Sequence, residues 1–306
     1  MASIGFRLRR AYRKLRWRML RGGPGRVPRI LTVPTANGIL SFSNMDLHNG
    51  KGLYVQRAWE IDLITRSMEY LRREGHLGRP GADVMIDVGA NIGMICIAML
   101  KHGYFREAVA IEPAPGNFEL LTRNIAQNGY AGSIRAFHGA VSDVSGEIEI
   151  ELSGENEGDH RVRAPRSSVP ALMEEEKRRV VRVPALTLDE LLTSAVPVDP
   201  KRIGLVWVDV QGHEGQLFRG ACRVLSHGAP VLNEFWPYGI LRSGLDRNSY
   251  GEIIRTHFSH FVIVDAGAGT FEARDAGAIG ELFDTLKGPE ECREVIYFPR
   301  RDVSSS

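Results

Sequence analysis

The segment VMIDVGANIGMICIAMLKHGYFREAVAIEPAPGN, at residues 84–117, establishes the fold class. It holds two short apolar runs, which we predict to be buried strands, and each ends at a carboxylate: Asp87 in the first run and Glu112 in the second. Glycines follow the first strand and lead into an apolar helix predicted over 93–101. A strand, a helix and a strand in this order predict a parallel sheet covered by helices.

The alternation of strands and helices continues along the chain. Helices are predicted over 57–74 and 117–129, whereas 30–56 is predicted to be extended and turn-rich because it contains several glycines. The run EIEIEL at 147–152 alternates strictly, which predicts a half-exposed antiparallel strand. About seven apolar strands are predicted in all, at 84–90, 108–113, 134–142, 203–210, 230–235, 261–265 and 294–298. The fold class is therefore α/β, with a Rossmann-like, mostly parallel sheet of seven strands.

The composition is that of an ordinary globular protein: 43% of the 306 residues are hydrophobic and 25% are charged. The chain has no apolar run of about 18 residues, so we predict no membrane-spanning helix. Cys96, Cys222 and Cys292 are far apart and form no C-x-x-C pair. This spacing argues against a disulfide framework or a zinc cage and favours a reducing, cytoplasmic location.

The charge is unevenly distributed. Residues 1–30 hold ten Lys or Arg and no Asp or Glu, whereas the remainder has 29 basic and 37 acidic residues. The basic character therefore belongs to an N-terminal helical arm, and the acidic body argues against a nucleic acid partner. Apolar residues of the arm fall within one helical stripe, formed by Ile4, Leu8, Ala11, Tyr12, Leu15 and Met19. The GGPG run at 22–25 ends this helix.

The arm has three interpretations. A basic amphipathic helix can lie on an anionic membrane surface, which would make the protein membrane-peripheral through residues 1–21. An Arg-rich segment without acidic residues also resembles a transit peptide. The third interpretation is a helix that packs on its own domain and leaves its basic face in solvent.

We divide the chain into four parts. Residues 1–29 form the basic arm, and 30–80 form an N-terminal extension with a helix that is a candidate lid. Residues 81–300 form the main domain, with a hairpin and loop insertion at 145–182. The tail at 301–306 is predicted to be disordered.

Ligands of open α/β sheets bind at the carboxyl ends of the strands. Gly89 and Gly93 allow a sharp turn and a close backbone approach there, and Asn91 tolerates the left-handed region. Glu112, at the end of the next strand, can accept hydrogen bonds from both hydroxyls of a ribose. These features predict an adenosine-containing cofactor.

The glycine pattern separates two such cofactors. The chain has D-x-G-x-N-x-G rather than the G-x-G-x-x-G of dinucleotide-binding proteins. The carboxylate of Asp87 is a poor neighbour for a pyrophosphate, but it suits the ammonium or sulfonium end of S-adenosylmethionine (SAM). The pattern therefore favours SAM over a nicotinamide cofactor.

Several blocks together resemble the FkbM family of class I SAM-dependent methyltransferases. They are IDVGANIG (86–93), IEPAPGNFELLTRNIAQNG (111–129), HGAVSDVSGEIEI (138–150), VPALTLDELL (183–192), GLVWVDVQGHEGQLFRGA (204–221) and VLNEF (231–235). Trp207 and Gln211 depart from the family, in which Lys and Glu are common at these positions. The resemblance implies a SAM site in which the methionine end contacts Asp87, Gly89, Ala90, Asn91 and Gly93, and the ribose contacts Glu112 near Pro113 and Asn117.

Family members are typically O-methyltransferases, so the resemblance implies methylation of a hydroxyl on a sugar, a glycolipid or polysaccharide, or a small-molecule natural product. The predicted partner is thus a small-molecule or glycan acceptor. We keep two alternatives: an RNA methyltransferase that holds phosphates with the basic arm, and a non-catalytic SAM-binding protein. A nicotinamide-dependent oxidoreductase would need the missing glycine motif.

Three residues are the predicted catalytic groups. Asp209 ends the fourth strand and is the first candidate for positioning the acceptor or removing its proton. Its alternative interpretation is a cap for the following helix. His213 could take the proton near neutral pH, and Glu234 could bind the acceptor. Glu214 also suits the helix dipole. Asp209, Glu214 and Glu234 offer oxygen ligands for Mg²⁺, but no motif requires a metal and none is predicted.

The polar stretch at 154–163 is a candidate acceptor loop. Asn156, Asp159, His160 and Arg161 offer hydrogen bonds that suit a polyhydroxylated substrate. By composition alone the same stretch also fits a solvated hairpin loop. The ring of Trp236 is predicted to face a sugar.

Overall fold

The computed structural model describes most of the chain: residues 4–21, 25, 27–78, 81–164, 167, 169–172 and 175–300. The predicted disordered tail at 301–306 lies outside the described residues. No described helix is both long enough and apolar enough to cross a membrane.

The described residues form eleven α-helices, several of them very short. They are α1 (Ile4–Leu20), α2 (Asn49–Gln56), α3 (Ile61–Arg73), α4 (Met94–Lys101), α5 (Pro115–Gln127), α6 (Leu188–Glu190), α7 (Glu214–Arg219), α8 (Cys222–Ser226), α9 (Pro237–Arg242), α10 (Arg247–His257) and α11 (Gly280–Thr285). A π-helical turn over Leu191–Ala195 continues α6. Single 3₁₀ turns occur at Glu175–Lys177, Pro200–Arg202 and Ala276–Ile279.

The strands number fourteen in the described part of the chain. They are β1 (Ile30–Pro34), β2 (Ile39–Ser43), β3 (Val84–Val88), β4 (Glu107–Glu112), β5 (Ile134–His138), β6 (Ala140–Val141), β7 (Gly146–Leu152), β8 (Arg161–Val162), β9 (Arg179–Leu186), β10 (Ile203–Val208), β11 (Val231–Phe235), β12 (Phe258–Asp265), β13 (Thr270–Asp275) and β14 (Arg293–Pro299).

The central sheet has the strand order β13-β12-β14-β11-β10-β3-β4-β5. The five strands from β11 to β5 are mutually parallel. β12 points in the same direction, because it is antiparallel to β14, which is itself antiparallel to β11. Both faces carry a hydrophobic core, so β3, β4 and β10 are buried along nearly their whole length. The predicted α/β class with a mostly parallel sheet is confirmed.

The predicted strand number is wrong by one, because the described part of this sheet has eight strands. The additional strand is β13, which pairs antiparallel with β12 at the sheet edge and is mostly exposed. A search for apolar runs misses such a strand because one of its faces is in solvent.

A second sheet, in the order β6-β9-β7-β8, comes largely from the predicted insertion at 145–182. β7 contains the EIEIEL run and pairs antiparallel with β9, as its alternation predicts. This sheet and the loop between β7 and β8 stand over the carboxyl end of the central sheet, where they contribute to a cavity described below.

The N-terminal extension packs on the main domain. β1 and β2 form a hairpin, and the side-chain amide of Asn124 on α5 bonds both backbone groups of Ser41, at 2.7 and 3.0 Å. The predicted extended conformation of 30–56 is wrong at α2. This helix forms because the buried carboxylate of Asp46 accepts hydrogen bonds from the backbone N–H groups of residues 48, 49 and 50.

The arm forms the predicted helix, α1. Its contact with the body is made by Trp17, which packs on Phe42 and Tyr54. The predicted apolar stripe does not take part in this contact, because Leu8, Tyr12, Leu15 and Met19 are all exposed.

Candidate functional site

The topological switch point of the central sheet lies between β3 and β10, where the chain order reverses. Val88 is in register with Val208, and Val208 with Asn233. The residues that follow, Gly89, Asp209 and Glu234, therefore lie side by side at the carboxyl ends of three neighbouring strands.

Gly89 cannot be replaced at this point without displacing the backbone. A Cβ atom built on it would lie 1.8 Å from the carbonyl oxygen of Asp209, and its φ is +85°. The glycine thus lets the loop after β3 touch the loop after β10.

Glu112 organises the loop after β3 from the end of β4. Its Oε2 accepts a hydrogen bond from the Asn91 N–H at 2.9 Å, and its Oε1 accepts one from the Ala114 N–H at 2.8 Å. Burial raises the pKa of this carboxyl to about 7, partly offset by these two backbone donors. Each carboxylate oxygen keeps further acceptor capacity, so Glu112 can bind a diol while it fixes the loop.

A first cavity opens beside Glu112. Its walls come from the loops after β3, β4 and β10, from β6, and from the second sheet. The lining residues are Val88, Gly89, Asn91, Ile111, Glu112, Pro113, Asn117, Gly139, Ala140, Val141, Ile150, Glu157, Gly158, His160, Val162, Asp209, Val210, Gln211 and His213. A largely apolar cavity with a carboxylate on one wall suits a nucleoside.

A second cavity adjoins the first. It is lined by His48, Asn49, Trp59, Glu60, Gly89, Ala90, Asn91, Met94, Ile95, Asn156, Gly158, Trp207, Asp209, Gln211 and Glu234. The two cavities share Gly89, Asn91, Gly158, Asp209 and Gln211. Asp209 therefore stands at the junction between them.

Three carboxyl groups face the second cavity: Glu60, Asp209 and Glu234. Burial, followed by the charge of Glu234, raises the pKa of Asp209 well above its usual value. Burial and the same neighbour raise the pKa of Glu60 to about 7, although this side chain is open to the cavity. Like charges that share a cavity oppose one another's ionisation, so these carboxyl groups bind protons more tightly than isolated ones do.

Gln211 connects two of these carboxylates. Its Nε2 donates a hydrogen bond to Asp209 Oδ1 at 2.5 Å and a longer one to Glu234 Oε2 at 3.4 Å. Gln211 adopts a left-handed φ of 52°, which directs its side chain back over the strand ends. Gln211, one of the two residues that depart from the family pattern, thus bridges the two predicted catalytic acids.

The structure brings together two of the three predicted catalytic residues. Asp209 and Glu234 share the second cavity, and Asp209 does not cap α7, whose N-cap residue is His213. His213 lines the first cavity instead, with its Nε2 2.9 Å from Ser142 Oγ. Burial lowers the pKa of His213 to about 4. The prediction that His213 removes the acceptor's proton is therefore not supported, because the ring lies on the other side of Asp209.

Most of the predicted cofactor residues line the cavities: Gly89, Ala90, Asn91, Glu112, Pro113 and Asn117. Two do not. Asp87 is buried beneath the loop, where its Oδ2 accepts a hydrogen bond from the Cys96 N–H at 3.1 Å, and burial raises its pKa to about 6. Gly93, with φ +88°, packs against Ile97 and Leu121 at the start of α4. Both support the loop from below rather than forming a cavity wall.

The four predicted residues of the candidate acceptor loop lie in different environments. Asn156 lines the second cavity and His160 lines the first. Asp159 and Arg161 were predicted to contact substrate, but they form a buried ion-pair network with Glu175 and Arg178, and line neither cavity. Buried charges require such partners, so these two side chains hold the loop in place.

The prediction for Trp236 also needs correction. Its ring is buried, its Nε1 donates a hydrogen bond to the carbonyl oxygen of Pro289, and the Arg161 guanidinium lies 4.4 Å from the ring centre. The aromatic face is thus occupied by a cation of the same protein. Trp59 provides an aromatic side chain in the second cavity instead.

Sequence reasoning missed the part of the site supplied by the N-terminal extension. His48, Asn49, Trp59 and Glu60 reach the second cavity from α2 and the turn before α3. Glu60 adopts a left-handed φ of 51°, and no local pattern marks it as functional. Glu157 was also missed, although it lies within the polar stretch predicted to be the acceptor loop. Its backbone carbonyl accepts hydrogen bonds from the side chains of Asn91 and Asn117.

The described residues contain no group of three or more His, Cys, Asp or Glu side chains arranged to hold a metal ion.

Glu214 does not line either cavity and instead stabilises a nearby turn. Its Oε1 accepts a hydrogen bond from the Gly212 N–H at 3.0 Å, which fixes the turn that presents Gln211.

We predict a pH-dependent effect of Glu214→Gln. Burial raises the pKa of Glu214 from 4.5 to about 7, so the folded state binds this proton more tightly than the unfolded state does. The free energy of unfolding of the wild type should therefore fall as the pH rises from ~4.5 through ~7, by at most about 3 kcal/mol from this group. The amide of the variant does not ionise, so the variant should gain stability relative to the wild type across this window.

Denaturant unfolding of both proteins at several pH values measures this difference. Glu252→Gln, an exposed change on α10, is the matched control and should show little pH-dependent difference. A difference between Glu214→Gln and the wild type that stays constant with pH would show that Glu214 does not titrate in this window.

Comparison with known proteins identifies one family. A family model described as the methyltransferase FkbM domain matches residues 87–266. The methyltransferase sdnD of Sordaria araneosa is 26% identical over an alignment of 168 residues, and the match covers 46% of this chain and 61% of that relative. The chain thus spans about three fifths of the length of this relative.

Comparison with solved structures finds two methyltransferases at low similarity. A methyltransferase FkbM from Methylobacillus flagellatus KT superposes with a TM-score of 0.39 at 15% identity, covering 71% of this chain and 44% of that chain. A geranyl diphosphate methyltransferase, solved in complex with GPP and sinefungin, gives a TM-score of 0.41 at 12% identity, covering 84% of this chain and 85% of that chain.

Proposed function

Because the chain belongs to the family of methyltransferases with an FkbM domain, which matches more than half of its 306 residues, we propose that it transfers a methyl group from SAM to a hydroxyl group. The proposed acceptor is a sugar, a glycolipid or polysaccharide, or a polyhydroxylated small molecule. One observation carries the proposal: a largely apolar cavity that contains Glu112 and a polar cavity meet at the carboxylate of Asp209.

The residues present fit SAM. Glu112 would hold the ribose hydroxyls, and the apolar side chains of Ile111, Val141 and Val210 would surround the adenine. When bound, SAM supplies an electrophilic methyl group.

The chain's own residues would position the acceptor and receive its proton. The raised pKa of Asp209 makes its carboxylate a stronger base than an ordinary Asp, which suits removal of a hydroxyl proton during methyl transfer. Gln211 fixes the carboxylate through its Oδ1 and leaves Oδ2 available. Glu234, across the strand ends, can accept a hydrogen bond from a neighbouring hydroxyl.

The lining of the second cavity supports a polyhydroxylated acceptor. His48, Asn49 and Asn156 provide hydrogen-bonding groups around the carboxylates, and Trp59 provides an aromatic surface. Sugars are commonly bound by this combination of polar groups and an aromatic ring, because each ring presents both hydroxyls and a C–H face. A flat nucleobase would be expected to use stacking surfaces on both faces instead.

The test uses methyl-labelled SAM, the purified protein and a host extract divided into lipid, polysaccharide, small-molecule, RNA and protein fractions. We expect label in the lipid, polysaccharide or small-molecule fraction, and much less with Asp209→Asn. Label confined to RNA would replace the proposed acceptor with a nucleic acid. SAM binding without label in any fraction would support a non-catalytic binding protein.

A further inference from the structure

Helix α1 presents two opposite faces. Trp17 is 3% exposed and anchors the helix to Phe42 and Tyr54. Leu8, Tyr12 and Leu15 form a row on the other side, and at about 100° per residue the centre of this row lies about 170° around the helix from Trp17. The docked helix therefore turns its apolar row away from the body.

The exposure of this row is unusual for such large side chains. Leu8 is 66% exposed, Tyr12 61% and Leu15 56%, and Met19 continues the row at 66%. An isolated exposed leucine needs no explanation, but a continuous row along three turns of a helix is typical of an interaction surface.

Basic side chains border the row on both sides. Arg9 and Arg16 lie along one edge and Arg18 along the other, and all three are exposed. Residues 4–21 contain eight Lys or Arg and no Asp or Glu. The surface thus combines an apolar centre with positively charged borders.

A basic groove lies where α1 meets α2. Four cationic residues line it, and apolar side chains complete it; among the described residues of its walls none is acidic. Its lining residues are Lys14, Trp17, Arg18, Arg21, Leu47, Lys51 and Val55. A groove of this charge suits the phosphate of a lipid headgroup.

We propose that α1, with the basic groove, is a binding surface for an anionic phospholipid bilayer. The row Leu8, Tyr12 and Leu15 enters the boundary between headgroups and acyl chains, while the arginines along its borders contact the phosphates. The basic groove holds a headgroup beside the helix. The protein is thereby held at the membrane surface without spanning it.

A bilayer fits this surface better than a nucleic acid does. Phosphates alone would account for the cations but would leave Leu8 and Leu15 in water. A bilayer accounts for both features, because it offers anionic headgroups next to an apolar layer.

Flotation of the full chain with vesicles tests the proposal. We expect vesicles of phosphatidylcholine with phosphatidylglycerol to bind about tenfold or more tightly than vesicles of phosphatidylcholine alone, and added salt to weaken the binding. The variant Leu8→Ser/Tyr12→Ser/Leu15→Ser keeps every charge and should weaken binding to the anionic vesicles by about tenfold or more.

A second variant tests the charges. Lys14→Gln/Arg18→Gln removes two cations of the basic groove and should weaken binding by about thirtyfold. The control Val144→Ser/Lys201→Gln removes one exposed apolar residue and one exposed cation elsewhere, and should bind like the wild type. None of these residues lines the first or second cavity, so SAM binding should be unchanged in every variant and reports that each is folded.

Three results would overturn the proposal. They are equal binding to neutral and anionic vesicles, full binding by the triple serine variant, and no binding to any vesicle. If the last result were accompanied by binding of single-stranded RNA that Lys14→Gln/Arg18→Gln abolishes, the surface would belong to a nucleic acid instead.

Discussion

Replacement of Asp209 by Asn should lower kcat by about a thousandfold while the Kd for SAM changes by less than about a factor of three. Asparagine keeps the shape of the side chain, and its Oδ1 can still accept the hydrogen bond from Gln211 Nε2. What it loses is the ability to receive a proton. Because Asp209 lies where the two cavities meet, this loss affects proton removal from the acceptor and leaves the nucleoside cavity intact.

The pH dependence distinguishes a base from a residue that only maintains the cavity. In the wild type, kcat/KM should rise with pH as the carboxyl of Asp209, whose pKa is raised by burial and by Glu234, loses its proton. This rise should be absent in Asp209→Asn. Asp284→Asn, at an exposed site on α11, is the matched control and should retain both turnover and the pH profile. Wild-type turnover in Asp209→Asn would contradict the assignment.

Replacement of Glu112 by Ala should raise the Kd for SAM by about a hundredfold, or ~3 kcal/mol. The variant loses the acceptor for the ribose hydroxyls. It also leaves the backbone N–H groups of Asn91 and Ala114 without their partner, so the loop after β3 is less well fixed. The loss of affinity is thus the sum of a missing contact and a less ordered loop.

Titration calorimetry with SAM measures this effect. Glu119→Ala removes an exposed carboxylate from α5 and should bind SAM like the wild type. Glu112→Gln, which keeps one oxygen acceptor, should bind with intermediate affinity. Unchanged affinity in Glu112→Ala would place the ribose elsewhere in the molecule.

The sequence predicted the centre of the site because its residues follow directly from strand ends. Gly89, Glu112, Asp209 and Glu234 each come at or just after the end of a parallel strand, and parallel strands bring such positions to one edge of the sheet. Apolar runs mark these strands clearly because both faces of the sheet are buried.

The rest of the candidate site depends on contacts between segments that are distant in the sequence. Glu60 lines the same cavity as Asp209 only because the N-terminal extension packs over the sheet, and no spacing in the sequence encodes this arrangement. The side chains of Asp159, Arg161 and Trp236 could in principle bind a substrate, but in the structure they bind one another. Buried polar and charged groups need partners, and which partner each one meets depends on the tertiary fold.

Two elements were missed although local signals existed. Asp46 stands three residues before Asn49 and begins α2 by accepting backbone hydrogen bonds, which outweighs the turn tendency of Asn49-Gly50. The run Ala-Gly-Ala-Gly at 266–269 separates β12 from β13 and is typical of a hairpin connection. Capping and turn residues therefore predict helix starts and hairpins that apolar runs do not reveal.

The most direct test of the central claim is a single-turnover reaction with methyl-labelled SAM and the acceptor fraction identified by label transfer, followed by nuclear magnetic resonance of the product. We predict a methyl ether on a hydroxyl-bearing acceptor, formed by the wild type and at a rate about a thousandfold lower by Asp209→Asn. A product carrying the methyl group on nitrogen or carbon, or equal rates for the two proteins, would contradict the proposed O-methyl transfer at Asp209.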